Sequence, residues 1–221
     1  MFLKGLKHGS FFSCFKEKDL KLITAGCADK SFTKGAVILY QGEASSALYF
    51  IVEGKVKVSL TNEEGREVVL DTLDHGDFFG EMSCLDSQYC SAMVSALTDV
   101  RILYLEKKVF LATISENPDM MISLLSEMSG RLRKANRMIG TLAFLDVAGR
   151  ISRMLIDLAG EKGERLKDGS VMVAAPTHQE IASQIGSSRE AVTKALKSLA
   201  ENRLILHDGK HIILPTQHLL Q

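Results

Sequence analysis

No apolar run in the chain approaches the roughly 18 residues needed to span a bilayer, which excludes a helical membrane protein. The opening residues, MFLKGLKHGSFFSCF, carry scattered lysines and no small-residue cleavage site, so no secretion signal is read and the expected location is the cytosol. The four cysteines, Cys14, Cys27, Cys84 and Cys90, lack the Cys-x-x-Cys spacing of zinc or redox sites, and reduced thiols are the expectation. They make no recognisable catalytic pairing with the six histidines, and neither a P-loop nor a GxSxG nucleophile elbow occurs, so no enzyme is expected. Net charge is missing too, since 27 basic residues balance 27 acidic ones. Taken alone, that argues against a nucleic-acid partner, because neutralising phosphates dominates such affinity. The balance hides a small asymmetry: residues 147–221 hold 10 basic and 8 acidic side chains, leaving 17 and 19 for residues 1–146.

What is present suggests two domains. At 221 residues the chain is long enough for two cores, and 46% hydrophobic with 24% charged residues excludes disorder. Between Ser31 and Tyr104 short β-type runs (Ala36–Tyr40, Ala47–Val52, Lys55–Leu60, Val100–Tyr104) alternate with glycine-bearing turns, the pattern of a sandwich or barrel. Asn62-Glu63-Glu64-Gly65 reads as a hairpin turn. After Pro118 the period changes. Met121, Leu125, Met128, Leu132, Ala135, Ile139 and Leu142 are separated by 4, 3, 4, 3, 4 and 3 residues, an a/d seam that hides its stripe against another helix. Glu127, Arg131, Arg133, Lys134 and Arg137 occupy the opposite face, which is read as solvated, so a parallel dimer seam is favoured over an intradomain core helix. A hinge near Phe144–Asp146 leads into a helix running to about Leu158, then to an extended segment at Ser170–Ala175.

Pro176-Thr177-His178-Gln179-Glu180 opens a helix with a capping box, Ile181, Ala182 and Ile185 face inward, and Gly186 ends it. Ser187 is expected to cap a second helix with Glu190 at its third position and Ala191, Val192, Ala195, Leu196 and Leu199 buried. Two capped helices joined through one glycine make a helix-turn-helix whose second member can enter the major groove. Ser188, Arg189, Glu190, Thr193 and Lys194 point away from its stripe; arginine can donate two bonds to guanine and glutamate can accept from the cytosine amino group. The alternative is a solvated face with Glu190 serving only as a cap. Leu204–Leu214 then forms a hairpin around Asp208-Gly209, a wing whose tip presents Lys210 and two histidines, His207 and His211, to phosphates.

Leu142-Ala143-Phe144-Leu145-Asp146-Val147-Ala148-Gly149-Arg150-Ile151, Gln179-Glu180-Ile181 and Ser188-Arg189-Glu190 together resemble the CRP/FNR family of regulators, its cyclic-AMP-responsive branch above all, and a looser likeness covers nearly the whole chain. The resemblance implies an α+β fold: a cyclic-nucleotide-binding-type β-roll, or jelly roll, with flanking helices over 1–116, a long dimerisation helix over 117–142, and a winged helix-turn-helix over 143–221. It implies a homodimer on palindromic double-stranded DNA with TGTGA-like half-sites, and RNA polymerase as a partner. Lys194 stands where the family often carries arginine; it keeps the charge without the bidentate fork. The effector cassette would be Gly80, Glu81, Met82 and Ser83 followed by Cys90 and Ser91, with Ala135 and Asn136 where the family's cyclic-AMP-responsive branch sets hydroxyls against adenine. Cys90 replaces the arginine that neutralises the cyclic phosphate, and a lost bond to a charged group costs about 1.5–3 kcal/mol. Three modes of control therefore stay open: a cyclic nucleotide (cAMP, cGMP or cyclic di-GMP) or other anion in an altered pocket, a ligand-independent regulator, and redox sensing through Cys84 and Cys90. A cyclic-nucleotide-binding regulatory subunit without specific DNA binding would explain the roll but not the capped helices and wing.

Overall fold

The computed structural model describes residues 26–215, so Cys14 and the reading of the opening residues lie outside the described residues. Two compact units emerge, Met1–Gly65 with Val69–Ala135 and Asn136–Gln221 with Arg66–Val68.

The first unit is built from β1 (Cys27–Phe32), β2 (Val37–Leu39), β3 (Ala47–Glu53), β4 (Val56–Thr61), β5 (Glu67–Leu73), β6 (Phe78–Phe79), β7 (Met93–Ala96) and β8 (Val100–Glu106). They form two four-stranded sheets, ordered β1-β8-β3-β6 and β2-β7-β4-β5. The turn at 62–65 closes as expected, with the Gly65 amide donating to the Asn62 carbonyl at 2.9 Å. Strand β3 shows why the pair of sheets holds together. Its side chains alternate in direction; Leu48 and Phe50 enter one core, Ile51 and Tyr49 the other, so both faces of this strand are covered. Helices α1 (Glu81–Asp86) and α2 (Lys107–Ser115), together with the start of α3 (Pro118–Phe144), cover the first of these cores through Cys84, Phe110, Ile114, Met120 and Leu124. Each large side chain buried in this way contributes about 1.5–3 kcal/mol before entropy is charged.

The second unit holds α4 (Val147–Lys162), α5 (His178–Ile185), α6 (Arg189–Glu201) and a sheet of β9 (Glu164–Arg165), β10 (Val171–Ala174), β11 (Leu206–Asp208) and β12 (His211–Leu214), ordered β11-β12-β10-β9. Ile151 and Leu155 of α4, Ile181 and Ile185 of α5, and Val192, Leu196 and Leu199 of α6 share one core with Val173, Ile205 and Ile212. The helix expected to end near Leu158 continues for another turn. Gly160 is tolerated inside it at about 1 kcal/mol; at Gly163 the backbone turns extended, and a Cβ there would lie 2.3 Å from the Ala159 carbonyl oxygen and from Val171 Cγ1, so the exit needs glycine. Where α3 gives way to α4, Asp146 caps α4 by accepting from the Gly149 amide at 2.8 Å. Arg150 donates to the carbonyls of Leu142 (2.8 Å), Leu145 (3.0 Å) and Ile185 (3.4 Å), tying the end of α3 to the end of α5.

Candidate nucleic-acid interface and effector pocket

The first helix of the pair is capped as its sequence requires. Thr177 Oγ1 accepts from the Glu180 amide at 3.2 Å, the Glu180 carboxylate accepts from the Thr177 amide at 2.7 Å, and Gly186 turns out of the helix with φ 63. The Thr177 amide and hydroxyl hold the Glu180 carboxyl below its ordinary range. The second helix departs from expectation at its cap. Ser188, not Ser187, is the N-cap, its hydroxyl accepting from the Ala191 amide at 3.2 Å. Ser188 is therefore committed to the helix end, and Glu190 falls one position too early to close a box. Among the described residues, the side chains of Arg189, Glu190 and Lys194 make no hydrogen bond or ion pair, and all three are exposed.

Thr193 is exposed as well, but its hydroxyl is engaged, donating to the Arg189 carbonyl at 2.9 Å and meeting His178 Nδ1 at 2.8 Å. In the hairpin that follows, Asp208 still pairs with His211, so the two-residue loop is Gly209-Lys210, one position later than the Asp-Gly pair suggests. Gly209 adopts φ 58, and Lys210 is exposed at the tip.

The expected effector residues are distributed unevenly. Gly80, at φ 86, opens α1; a Cβ here would meet the Ala47 carbonyl oxygen at 2.8 Å and the Tyr49 ring at 2.9 Å, so glycine is required. Glu81 and Ser83 are buried, Met82 and Ser91 are exposed, and Ser91 Oγ approaches Met82 Sδ at 3.5 Å. Cys90 is buried, with its sulfur 3.9 Å from Ser83 Oγ. Asn136 is exposed on α3, in the second unit.

The buried Glu81 carboxylate needs a partner, and Arg131 of α3 supplies it, with Nη1 donating at 3.0 Å. The same guanidinium donates to the Phe78 carbonyl at 2.6 Å, reaches Glu127 at 3.4 Å and lies 4.6 Å from the centre of the Phe78 ring. Lys134 pairs with Asp71. Reading Arg131 as part of a solvated face was therefore wrong, because it is drawn onto the roll by the buried Glu81 carboxylate, whereas Lys134 stays exposed while pairing with Asp71. Fifty positions separate Glu81 from Arg131, and only the certainty that a buried carboxylate is paired could have pointed to it. For redox sensing the setting is unfavourable: burial pushes the Cys84 thiol up to about 11 and suppresses its thiolate.

The α3 seam faces outward on the single chain. Leu125, Leu132 and Ile139 are 60%, 62% and 62% exposed, Met121 and Leu142 are also exposed, and only Met128 packs against the roll. Phe144, at the helix end, is 87% exposed.

Comparison with known proteins accords with this geometry. Residues 29–117 match the cyclic nucleotide-binding domain and residues 149–221 the Crp-like helix-turn-helix domain. The cAMP-activated global transcriptional regulator CRP of Salmonella typhimurium is 36% identical over 196 residues, covering 88% of this chain and 93% of the relative. The cAMP-activated global transcriptional regulator Vfr of Pseudomonas aeruginosa is 34% identical over 203 residues, covering 90% and 94%. Among solved structures, the c-di-GMP responsive global regulator CLP of Xanthomonas campestris superposes with a TM-score of 0.78 at 25% identity, covering 90% of this chain and 99% of that one. A CRP/FNR-family regulator of Thermus thermophilus gives 0.67 at 31%, covering 87% and 96%.

Proposed function

This chain belongs to the CRP/FNR family of DNA-binding transcription regulators, and from that premise we propose that it works in the cytoplasm as a homodimer on a palindromic TGTGA-like site, under the control of a small effector in its β-roll. One observation carries the DNA reading: among the described residues the side chains of Arg189, Glu190 and Lys194 on α6 are exposed and make no hydrogen bond or ion pair, and the wing tip carries an exposed Lys210. Arg189 and Glu190 then address a G·C pair, while Lys194 and Lys210 supply charge. The exposed stripe through Leu125, Leu132 and Ile139 supports a parallel seam that sets two half-sites about one helical turn apart. RNA polymerase is the expected partner of a DNA-bound regulator of this family.

For the effector, the sugar side of the cassette is built, with Gly80 in its strained turn and Glu81 buried and ionically held. The phosphate side is not, since a thiol at Cys90 offers no charge. We assign a cyclic nucleotide held with reduced phosphate affinity; relatives are described as cAMP-activated and c-di-GMP responsive, and both ligands are candidates here. Effector binding biases the 144–146 hinge only as far as its affinity differs between the two states.

The test is a fluorescence-anisotropy titration of a palindromic TGTGA duplex at fixed salt, with and without cAMP, cGMP and cyclic di-GMP. Specific binding strengthened by one nucleotide supports the full reading. Specific binding indifferent to all three removes the nucleotide while retaining the regulator. Salt-sensitive but sequence-blind association overturns site-specific regulation.

A further inference from the structure

Thr193 is one of the expected DNA-facing residues, yet its hydroxyl is already used. Oγ1 donates its single proton to the Arg189 carbonyl at 2.9 Å, so the 2.8 Å contact with His178 is made by the imidazole donating from Nδ1. His178 is the first residue of α5, and the side chain of Thr193 is thus held from its own helix and from the neighbouring one. A helical threonine otherwise divides between two χ1 rotamers. Two bonds to one oxygen select one of them and leave the Cγ2 methyl as the uncommitted group, on an exposed residue between Arg189 and Lys194.

We propose that Thr193 reads a thymine through its methyl group, and that His178 is the positioning residue that fixes that methyl. The proposal rests on α6 being the helix that enters the major groove. Thymine presents its C5-methyl in that groove, and apolar contact is how a side chain recognises it. A hydroxyl reader would address O4 instead, which deoxyuridine retains. Burying one methyl against another corresponds to about fourfold in affinity.

The experiment takes the full chain to the half-site recovered by selection from random duplexes and replaces each dT in turn by dU. At one position the wild-type protein loses about fourfold in affinity. Thr193→Ser, which keeps the hydroxyl and its two bonds, binds the dT and dU duplexes equally. His178→Ala narrows the dT-to-dU ratio, and His178→Asn, whose amide lies close to the place of Nδ1, restores it. A purely structural lesion weakens both duplexes together and leaves the ratio unchanged, so partial unfolding does not mimic the result. Equal affinity at every dT-to-dU position, or discrimination that persists in Thr193→Ser, overturns the methyl reading and leaves the DNA-reading helix standing. Failure to select any site overturns both.

Discussion

Replacing Arg131 by methionine removes the ion pair beneath the candidate effector cassette together with the weaker contact to Glu127. The Glu81 side chain keeps 5% of its surface in water and Arg131 keeps 23%, with 3.0 Å between Nη1 and Oε1. Methionine can still lie over the Phe78 ring, so the loss is concentrated in the carboxylate left buried without its Arg131 partner and in the bond Arg131 donates to the Phe78 carbonyl. Breaking a fully buried pair costs about 3–5 kcal/mol; the partial exposure of Arg131 admits water, and about 2–4 kcal/mol is expected. Against a total stability of about 5–15 kcal/mol this is large. The assay is urea unfolding at neutral pH and one protein concentration, with unchanged m-values required so that the midpoints report stability. Glu81→Gln in the Arg131→Met background removes the orphaned charge and should recover at least about 1 kcal/mol, giving a coupling of the same order in the double-mutant cycle. An Arg131→Met loss under about 0.5 kcal/mol, or a double variant no more stable than the single one, refutes the view that this pair anchors α3 to the roll.

Arg189→Ala should cost about 1–3 kcal/mol on a G-containing half-site while leaving binding to random DNA nearly unchanged; equal losses on both in parallel anisotropy titrations contradict base reading. Leu132→Glu places a charge on the most open part of the α3 seam and should shift sedimentation equilibrium from dimer to monomer, whereas an unchanged mass refutes the seam. Burial raises the Cys27 and Cys84 thiols to about 12 and about 11, so both should resist iodoacetamide at pH 8 until urea unfolds the chain, with mass spectrometry locating the adducts. Because their folded values exceed that of a free thiol, about 8.5, their contribution to stability is complete below that pH and is lost as pH rises toward 11; a flat urea midpoint between pH 8 and 10 contradicts this.

Much of the architecture could be read from local pattern. The helix-turn-helix was legible because its caps, buried stripe and glycine turn all lie within 26 consecutive positions, Pro176 to Glu201, and each has a local cause. The strands with strong alternation, β3, β4 and β8, were found; β1 was not, because Cys27-Ala-Asp-Lys-Ser-Phe32 is a solvated strand whose identity comes from pairing with β8. The cap falls on Ser188 and not on Ser187, a one-residue displacement that composition cannot resolve when two serines adjoin. Arg131 was missed for a deeper reason: long-range ion pairing leaves no periodic trace, and an arginine beside a seam looks solvated until the roll folds against it. Site roles at Cys90 and Lys194 came from resemblance to a family, not from spacing.

The difference between the two candidate surfaces lies in how much of each the folded chain already uses. At the start of α6 the Ser188 hydroxyl accepts the cap bond, and the Thr193 hydroxyl makes two internal bonds, whereas among the described residues the side chains of Arg189, Glu190 and Lys194 have no hydrogen-bond or ion-pair partner. A DNA base edge can exchange with the water around them without breaking any bond of these side chains to the protein. In the roll the situation is reversed. Glu81 is buried and occupied by Arg131, so a ligand that needs this carboxylate must share it with the guanidinium or displace it, and displacement frees a residue that otherwise ties α3 to Phe78 and Glu81. Intrinsic affinity for such a ligand would be reduced by the cost of that rearrangement, and the same cost would link occupancy of the cassette to the helix bearing the seam. A ligand that left the Glu81–Arg131 pair intact would bind without this penalty and would transmit nothing through it.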